Sequence, residues 1–371
     1  MIYLDYAATT PPSETVIEAV TQTLRDYPGN PSSFHRPGRE AKKRYQQAKR
    51  HIATLLGTIP ERIFFTGSGS EATALALKGH PFTPGETILT TTVEHHATLH
   101  TLEQLKKNGI RVRTLPCDHE GFLPEETLEA ALAEERTGML SLVHANNEIG
   151  TLQDLKALGD LAHAHDVKVH ADMVQSPLHM QLALDEMPVD YASFSAHKFF
   201  GPKGIGILYA RDVNELTPLI DGGGQEHGLR SGTENLPYIV GLEKALAEAV
   251  EALTPREAAI RRLAKRFLWR LEASTLEYNL NGPPLEKPRL WNILNIGFKG
   301  VDPQRLAYKL DRHDIAVSLG SACSGDTIER SHVLEAIKAP RSHGALRFSL
   351  SHHESEEDID DVVEVLQRLL L

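Results

Sequence analysis

The chain has 371 residues, 41% of them hydrophobic and 24% charged, with a formal net charge of −11. That length exceeds one ordinary hydrophobic core and favours two domains, while the composition is neither that of a disordered chain nor that of a membrane span. The acidic balance disfavours direct nucleic-acid binding, which needs clustered Lys and Arg. Only Cys117 and Cys323 are present, so a disulfide framework and an all-cysteine zinc site are excluded and no metal site is expected. The start at Met1 lacks a basic stretch followed by an apolar one, which makes a cytoplasmic location the expectation.

Ala41, Tyr45, Ala48, Ile52 and Leu55 recur at helical spacing and Gly57 stands where a helix would stop, so residues 36–56 are predicted to form a long amphipathic helix. Beyond it, the apolar runs Ile63–Phe65, Ile88–Leu89, Met139–Val143, Val167–Val169, Tyr191–Phe194 and Ile205–Tyr209 read as strands. Helical patterns such as Pro124–Glu134 and Leu155–Ala164 fall between them, and this alternation predicts an α/β domain with a mostly parallel sheet. Residues 235–271 carry few helix breakers and are expected to link two domains. After Asn281-Gly282-Pro283-Pro284 come strand patterns at Ile293–Phe298 and Ile315–Val317, a helix near Pro303–Arg312 and a C-terminal helix from about Ser355. That is the outline of a smaller α+β domain.

Ile63 to Ala72 reads as a strand, a Gly/Ser-rich turn (Gly67-Ser68-Gly69-Ser70) and a helix beginning near Glu71. Such a turn aims backbone N–H groups and a helix N-terminus at one point, which suits an anion. The run also fits G-x-G-x-x-A, so a nicotinamide dinucleotide is an alternative, as is a plain tight turn. Against the dinucleotide, the turn opens after some sixty residues of other structure, and Glu71 would set an acid beside the pyrophosphate.

Ser193-Phe194-Ser195-Ala196-His197-Lys198 follows an apolar strand and runs into the Gly/Pro turn Gly201-Pro202-Lys203-Gly204. A lysine there can form an imine with a cofactor aldehyde while neighbouring hydroxyl and imidazole groups hold a phosphate. Lysines are usually solvated; what singles out Lys198 is Asp172, after the strand Val167-Lys168-Val169, where a carboxylate can pair with a protonated pyridine nitrogen. His95, after the strand near Ile88, is a candidate to cover a ring face. A solvated loop histidine or a metal site with His96 are the other readings, the second weakened because adjacent residues on an extended chain point apart. Phosphate turn, lysine, acid and ring-facing histidine are the four parts of a pyridoxal site.

Together with Leu4-Asp5-Tyr6-Ala7-Ala8-Thr9-Thr10-Pro11, Gly29-Asn30-Pro31-Ser32-Ser33, Asn146-Asn147-Glu148-Ile149-Gly150, Gly222-Gly223-Gly224-Gln225-Glu226, Arg230-Ser231-Gly232-Thr233 and Gly320-Ser321-Ala322-Cys323, these motifs make the chain resemble, end to end, the cysteine desulfurases of the NifS/IscS group in the class V aminotransferase family. The resemblance implies a pyridoxal 5'-phosphate-dependent transferase fold of type I. Its large domain would be 15–251, and residues 1–14 and 252–371 would form the smaller one. By the same resemblance Lys198 would bind the cofactor covalently, Asp172 would pair with the ring nitrogen and His95 would stack on the ring. Gln175 and Asn147 would hold the ring oxygen or the substrate, and Gly69, Ser70, Ser195 and His197 the phosphate, with Thr233 reaching across a homodimer. Asn30 and Arg347 would bind the substrate carboxylate.

Cys323 is the discriminating residue, because its run of small and polar neighbours has the composition of a loop able to bring a thiol to a substrate. The implied reaction removes sulfur from L-cysteine, leaves alanine and holds the sulfur as a persulfide on Cys323. An iron–sulfur scaffold or a tRNA thiolase would accept it. Cys117 matches no motif and reads as structural. Alternatives are a selenocysteine lyase or an aminotransferase of the same fold, or a non-catalytic sulfur-transfer scaffold. The chain departs from the family at Gly69-Ser70, where Ala-Thr is usual, and at Ser351-His352-His353, where a glycine is common. It also ends at Leu371, shorter than many relatives, which leaves the choice of acceptor open.

Overall fold

Short apolar runs separated by amphipathic helices bury both sets of faces only in layers, and the computed structural model, which describes residues 1–319 and 330–371, has that form. Strand β1 (Ile2–Tyr3) and helices α1 (Glu14–Asp26) and α2 (Arg36–Leu55) open the chain. Then come β2 (Ile63–Thr66), α3 (Gly69–Gly79), β3 (Thr87–Thr91), α4 (His96–Lys107), β4 (Arg111–Leu115), α5 (Glu125–Glu134) and β5 (Thr137–Val143). After α6 (Leu155–Ala164), the strands β6 (Lys168–Asp172), β7 (Tyr191–Ser195) and β8 (Gly206–Ala210) complete a sheet of order β2-β8-β7-β6-β5-β3-β4. Only β8 runs against the others. All five residues of β3, β7 and β8 are buried, as expected of a sheet covered on both faces.

Helices α7 (Leu236–Glu251) and α8 (Leu253–Glu272) divide the predicted 235–271 stretch at Ala252. The division has two local causes. Pro255 lies in the first turn of α8, where its missing N–H costs nothing but a continuous helix would clash. Arg256 is buried and donates to the carbonyls of Glu248 (3.0 Å), Ala249 (2.8 Å) and Leu178 (3.1 Å), satisfying the end of α7. Beyond α8, the antiparallel sheet β9 (Tyr278–Asn281), β10 (Ile293–Lys299) and β12 (His343–Ser349) has the order β12-β10-β9. Between them lie α9 (Pro303–Asp311), β11 (Ile315–Ala316), which pairs with β1, and α10 (His332–Ala336). Helix α11 (Glu356–Leu370) closes the chain behind a Ser355/Asp358 capping box.

Apolar clusters cover both faces of the seven-stranded sheet: one includes Ile52, Leu140, Val169, Phe194 and Leu242, and another holds Phe64, Ile88, Met139 and Tyr191 on the opposite face. A third, with Leu4, Phe267, Ile296, Phe348 and Val362, packs α8 and α11 on the three-stranded sheet. Leu4 belongs to this third cluster although it opens the chain, so the N-terminal segment crosses from it to the large sheet. That crossing brings residues 5–10 to the site described next.

Candidate active site

All strands of the large sheet except β8 point their carboxyl ends the same way, and ligands in such sheets sit beyond those ends. There the loops enclose a cavity of about 210 Å³ lined by Gly69, Ser70, Thr73, His95, Asn147, Asp172, Gln175, Ser195, His197 and Lys198, among others. Nine of the residues predicted from sequence therefore share one cavity, although they come from five separate loops.

Lys198 follows β7 in a short turn, and Phe200, at φ 62°, reverses the chain behind it. Its Nζ donates to the carbonyl oxygens of Ala7 (2.7 Å) and Ala8 (2.8 Å), so the N-terminal segment aims the amine. Burial, reinforced by the Arg347 charge and opposed by Asp172 and Asp5, holds the ammonium down at about 8. A deprotonated amine is thus accessible near neutral pH, the requirement for attack on an aldehyde. Gln175 Nε2 donates to the same Ala7 carbonyl at 2.9 Å. The sequence motif around Ala7 and Ala8 carries no functional side chain at those positions, which is why their part as backbone acceptors cannot be read from residue type.

Asp172 is the last residue of β6 and is buried. Among the described residues its side chain receives one hydrogen bond, from the Val174 N–H at 3.1 Å. Burial raises its carboxyl, while His95, that N–H and Lys198 act in the opposite direction. A cation placed in the cavity would therefore be strongly favoured beside it. His95 caps α4, its Nδ1 accepting from the Ala97 N–H at 3.1 Å, so the neutral ring carries its proton on Nε2. His95 lines the cavity, and burial lowers its pKa, with Asp172 opposing.

The residue before it, Glu94, has no counterpart in the sequence reading. It is buried, and its Oε1 accepts from the Thr91 hydroxyl (2.5 Å) and the Val143 N–H (3.0 Å). Burial outweighs those hydrogen bonds and, with Asp172 adding to it, pushes the carboxyl up to about 8. A buried histidine supports the floor of the site as well: His170 bridges the Ser141 and Ser193 hydroxyls at 2.9 Å each, tying β5, β6 and β7 together.

The phosphate turn begins its helix two residues earlier than predicted, at Gly69, because the Ser68 hydroxyl accepts from the Glu71 N–H (3.1 Å) and caps it. An added Cβ at Gly69 would lie 2.8 Å from Val174 Cγ2 and 3.1 Å from Ser195 Cβ, so the backbone approaches the far wall too closely for a side chain. Glu71 does not face the cradle: its Oε2 accepts from the Gly67 N–H (2.8 Å) and its Oε1 meets Arg230 Nε at 2.8 Å. His197, on the opposite side, hydrogen-bonds Thr9 Oγ1 through Nδ1 at 3.1 Å, and burial lowers its pKa to about 4.

Arg347 stands beside this cavity on β12. It donates to the Asn147 carbonyl (2.9 Å) and to Asp5 Oδ1 (2.8 Å), a partner the sequence reading did not supply. Asn30 and Thr233 are exposed and outside the cavity wall; Asn30 Oδ1 accepts from the Ser32 N–H at 2.8 Å. Cys323 lies outside the described residues. Cys117 packs against apolar residues, and burial pushes its thiol up to about 12, which leaves it almost wholly protonated and unreactive.

The chain belongs to the aminotransferase class-V family, whose model matches residues 2–362. Within that family its relatives are cysteine desulfurases: it is 40% identical over 374 residues to cysteine desulfurase IscS of Dictyoglomus turgidum, a match spanning 100% of this chain and 94% of that protein. A NifS-like protein superposes with a TM-score of 0.92 at 36% identity, covering 100% of this chain and 99% of the other. SspA in complex with cysteine superposes with a TM-score of 0.83 at 33% identity, covering 96% and 100% respectively.

Proposed function

We propose that the protein is a cysteine desulfurase that takes sulfur from L-cysteine onto Cys323, leaves alanine, and uses pyridoxal 5'-phosphate. The observation that carries this reading is the convergence of Lys198, Asp172 and the α3 N-terminus on one cavity, with the lysine held at about 8. The cavity suits the cofactor on three counts. The Gly69 cradle admits no side chain, Asp172 has an oxygen without a protein partner among the described residues, and the helix N-terminus offers N–H groups to a phosphate. When bound, the cofactor supplies an electron sink for bond breaking at the substrate carbon.

The protein's own groups do the rest. Gly69, Ser70, Ser195 and His197, with Thr233 of the partner subunit in a homodimer, hold the phosphate. Asp172 would hold the ring nitrogen as a cation, and His95 would stack on the ring. Asn147 and Gln175 orient the ring oxygen or substrate. Arg347, helped by Asn30, binds the substrate carboxylate through paired N–H groups that match its two oxygens. Lys198, as a neutral amine, would take the proton from the substrate Cα. The Cys323 thiolate attacks the substrate sulfur, the C–S bond breaks, and the carbon fragment takes up protons and leaves as alanine. The persulfide then passes to an acceptor protein, an iron–sulfur scaffold or a tRNA thiolase.

Residues 15–251 form the cofactor domain, and 1–14 with 252–371 a smaller domain carrying the Cys323 loop. Among the described residues no helix is long and apolar enough to cross a membrane, and a cytoplasmic location suits a persulfide chemistry that needs reduced thiols. Assay of the purified protein with cysteine, selenocysteine and a keto acid tests the proposal: alanine and a Cys323-dependent persulfide from cysteine are expected. Transamination, or turnover of selenocysteine alone, would overturn it.

A further inference from the structure

The Gly222–Glu226 run and Thr233 belong to one surface loop, and its anchoring is unlike that of an ordinary glycine-rich turn. Glu226 is buried in the middle of it. Its Oε2 lies 3.1 Å from Lys49 Nζ on α2, with the two side chains 4% and 8% exposed, and accepts from the Phe65 N–H of β2 at 3.4 Å. The Tyr45 hydroxyl donates to its other oxygen. Glu226 and His227 are both left-handed, at φ 49° and 58°, a pairing that non-glycine residues adopt only when surrounding contacts hold it. The carboxylate's contacts with Lys49, Tyr45 and Phe65 supply that hold.

The constraint is then carried forward by the neighbouring side chain. Gln225 Oε1 accepts from the Gly232 N–H at 2.9 Å, spanning the loop to the residue immediately before Thr233. Gly232 itself sits at φ 114°, where a residue with a Cβ would be strained. Thr233 is exposed, and a threonine on a free glycine-rich loop would lose conformational entropy on meeting a ligand. Fixing it beforehand removes that cost from binding.

We infer that Gln225 and Glu226 are positioning residues for Thr233: Glu226 locks the turn to α2 and β2, and Gln225 transmits that lock through Gly232 so that Thr233 is already aimed at the phosphate. The inference rests on the proposed reading of Thr233 as a phosphate ligand across a homodimer. Neither residue lines the candidate cofactor cavity, so their effect is on how tightly the cofactor is kept.

The test is the rate at which holoenzyme releases pyridoxal phosphate to a scavenger, measured for wild type, Gln225→Ala, Thr233→Ala and the double variant, with sedimentation to establish the dimer. Thr233→Ala should speed release about tenfold to a hundredfold, the loss of one charge-assisted hydrogen bond. Gln225→Ala should speed it by about tenfold, and the double variant should match Thr233→Ala alone, because both act on one contact. Wild-type release from Gln225→Ala, or losses that multiply in the double variant, would overturn the inference. Wild-type release from Thr233→Ala, or a monomeric holoenzyme, would instead remove the reading of Thr233 beneath it. Since Glu226→Gln alone leaves Lys49 buried without its partner, the Glu226 part is read from Lys49→Met/Glu226→Gln. This pair should speed release in the wild-type background and add nothing when Thr233 is alanine; additive behaviour would refute it.

Discussion

Glu94 offers a quantitative check on the electrostatics beneath the site. Its carboxyl is buried between β3 and β5, pinned by Thr91 and the Val143 N–H, and displaced from 4.5 to about 8 by burial and by Asp172. An acid that binds its proton more tightly folded than unfolded adds no cost below its unfolded pKa. The cost grows as pH rises from 4.5 and levels off above 8. Moving the midpoint that far corresponds to roughly 5 kcal/mol at the plateau. Glu94→Gln is isosteric, keeps an acceptor for the Val143 N–H and cannot ionise. The variant should therefore gain stability relative to wild type by roughly 3 kcal/mol between pH 5.5 and 8.5, read from urea unfolding curves at the two values. Asp172 is present in both proteins, so the difference reports Glu94 together with its charge coupling to Asp172. If the two proteins keep a constant difference across that range, Glu94 is not a protonated buried acid and the description of the floor of the site is wrong.

Two further substitutions probe the site directly. Asp172→Asn should retain the cofactor yet lose about a hundredfold or more in kcat, since a neutral amide cannot hold charge on the ring nitrogen; near-normal turnover in a colour-retaining variant would argue against the pairing. Arg347→Lys should raise KM for cysteine about tenfold with a smaller change in kcat, because a point charge replaces a planar fork. An unchanged KM would move the carboxylate site elsewhere.

What the sequence reveals and what it hides follow from how each contact is made. Lys198, Asp172, His95 and the Gly69-Ser70 turn are legible because each stands at the end of an apolar run, and parallel strands gather such ends on one edge. Helix α2 is legible from its buried Ala41, Ala48 and Ile52. Strand β4 is not, since Arg111 and Arg113 alternate with the less polar positions of an edge strand. Glu71 misleads for a different reason: its position beside the cradle is evident, but its turn back to Gly67 and Arg230 depends on a residue far along the chain. Asp5 and Arg347, 342 positions apart, meet only because Leu4 is drawn into the apolar cluster of the three-stranded sheet. The acceptors of Lys198 are backbone carbonyls, which residue type does not announce. The Lys49–Glu226 pair is hidden likewise, since each residue alone reads as surface charge.

Mass spectrometry of the protein after exposure to L-cysteine without reductant addresses the central claim most directly. One additional sulfur atom is expected on the peptide containing Cys323, formed together with alanine and absent from Cys323→Ser. Alanine released with no sulfur retained at Cys323, or a persulfide found on Cys117 instead, would contradict the account.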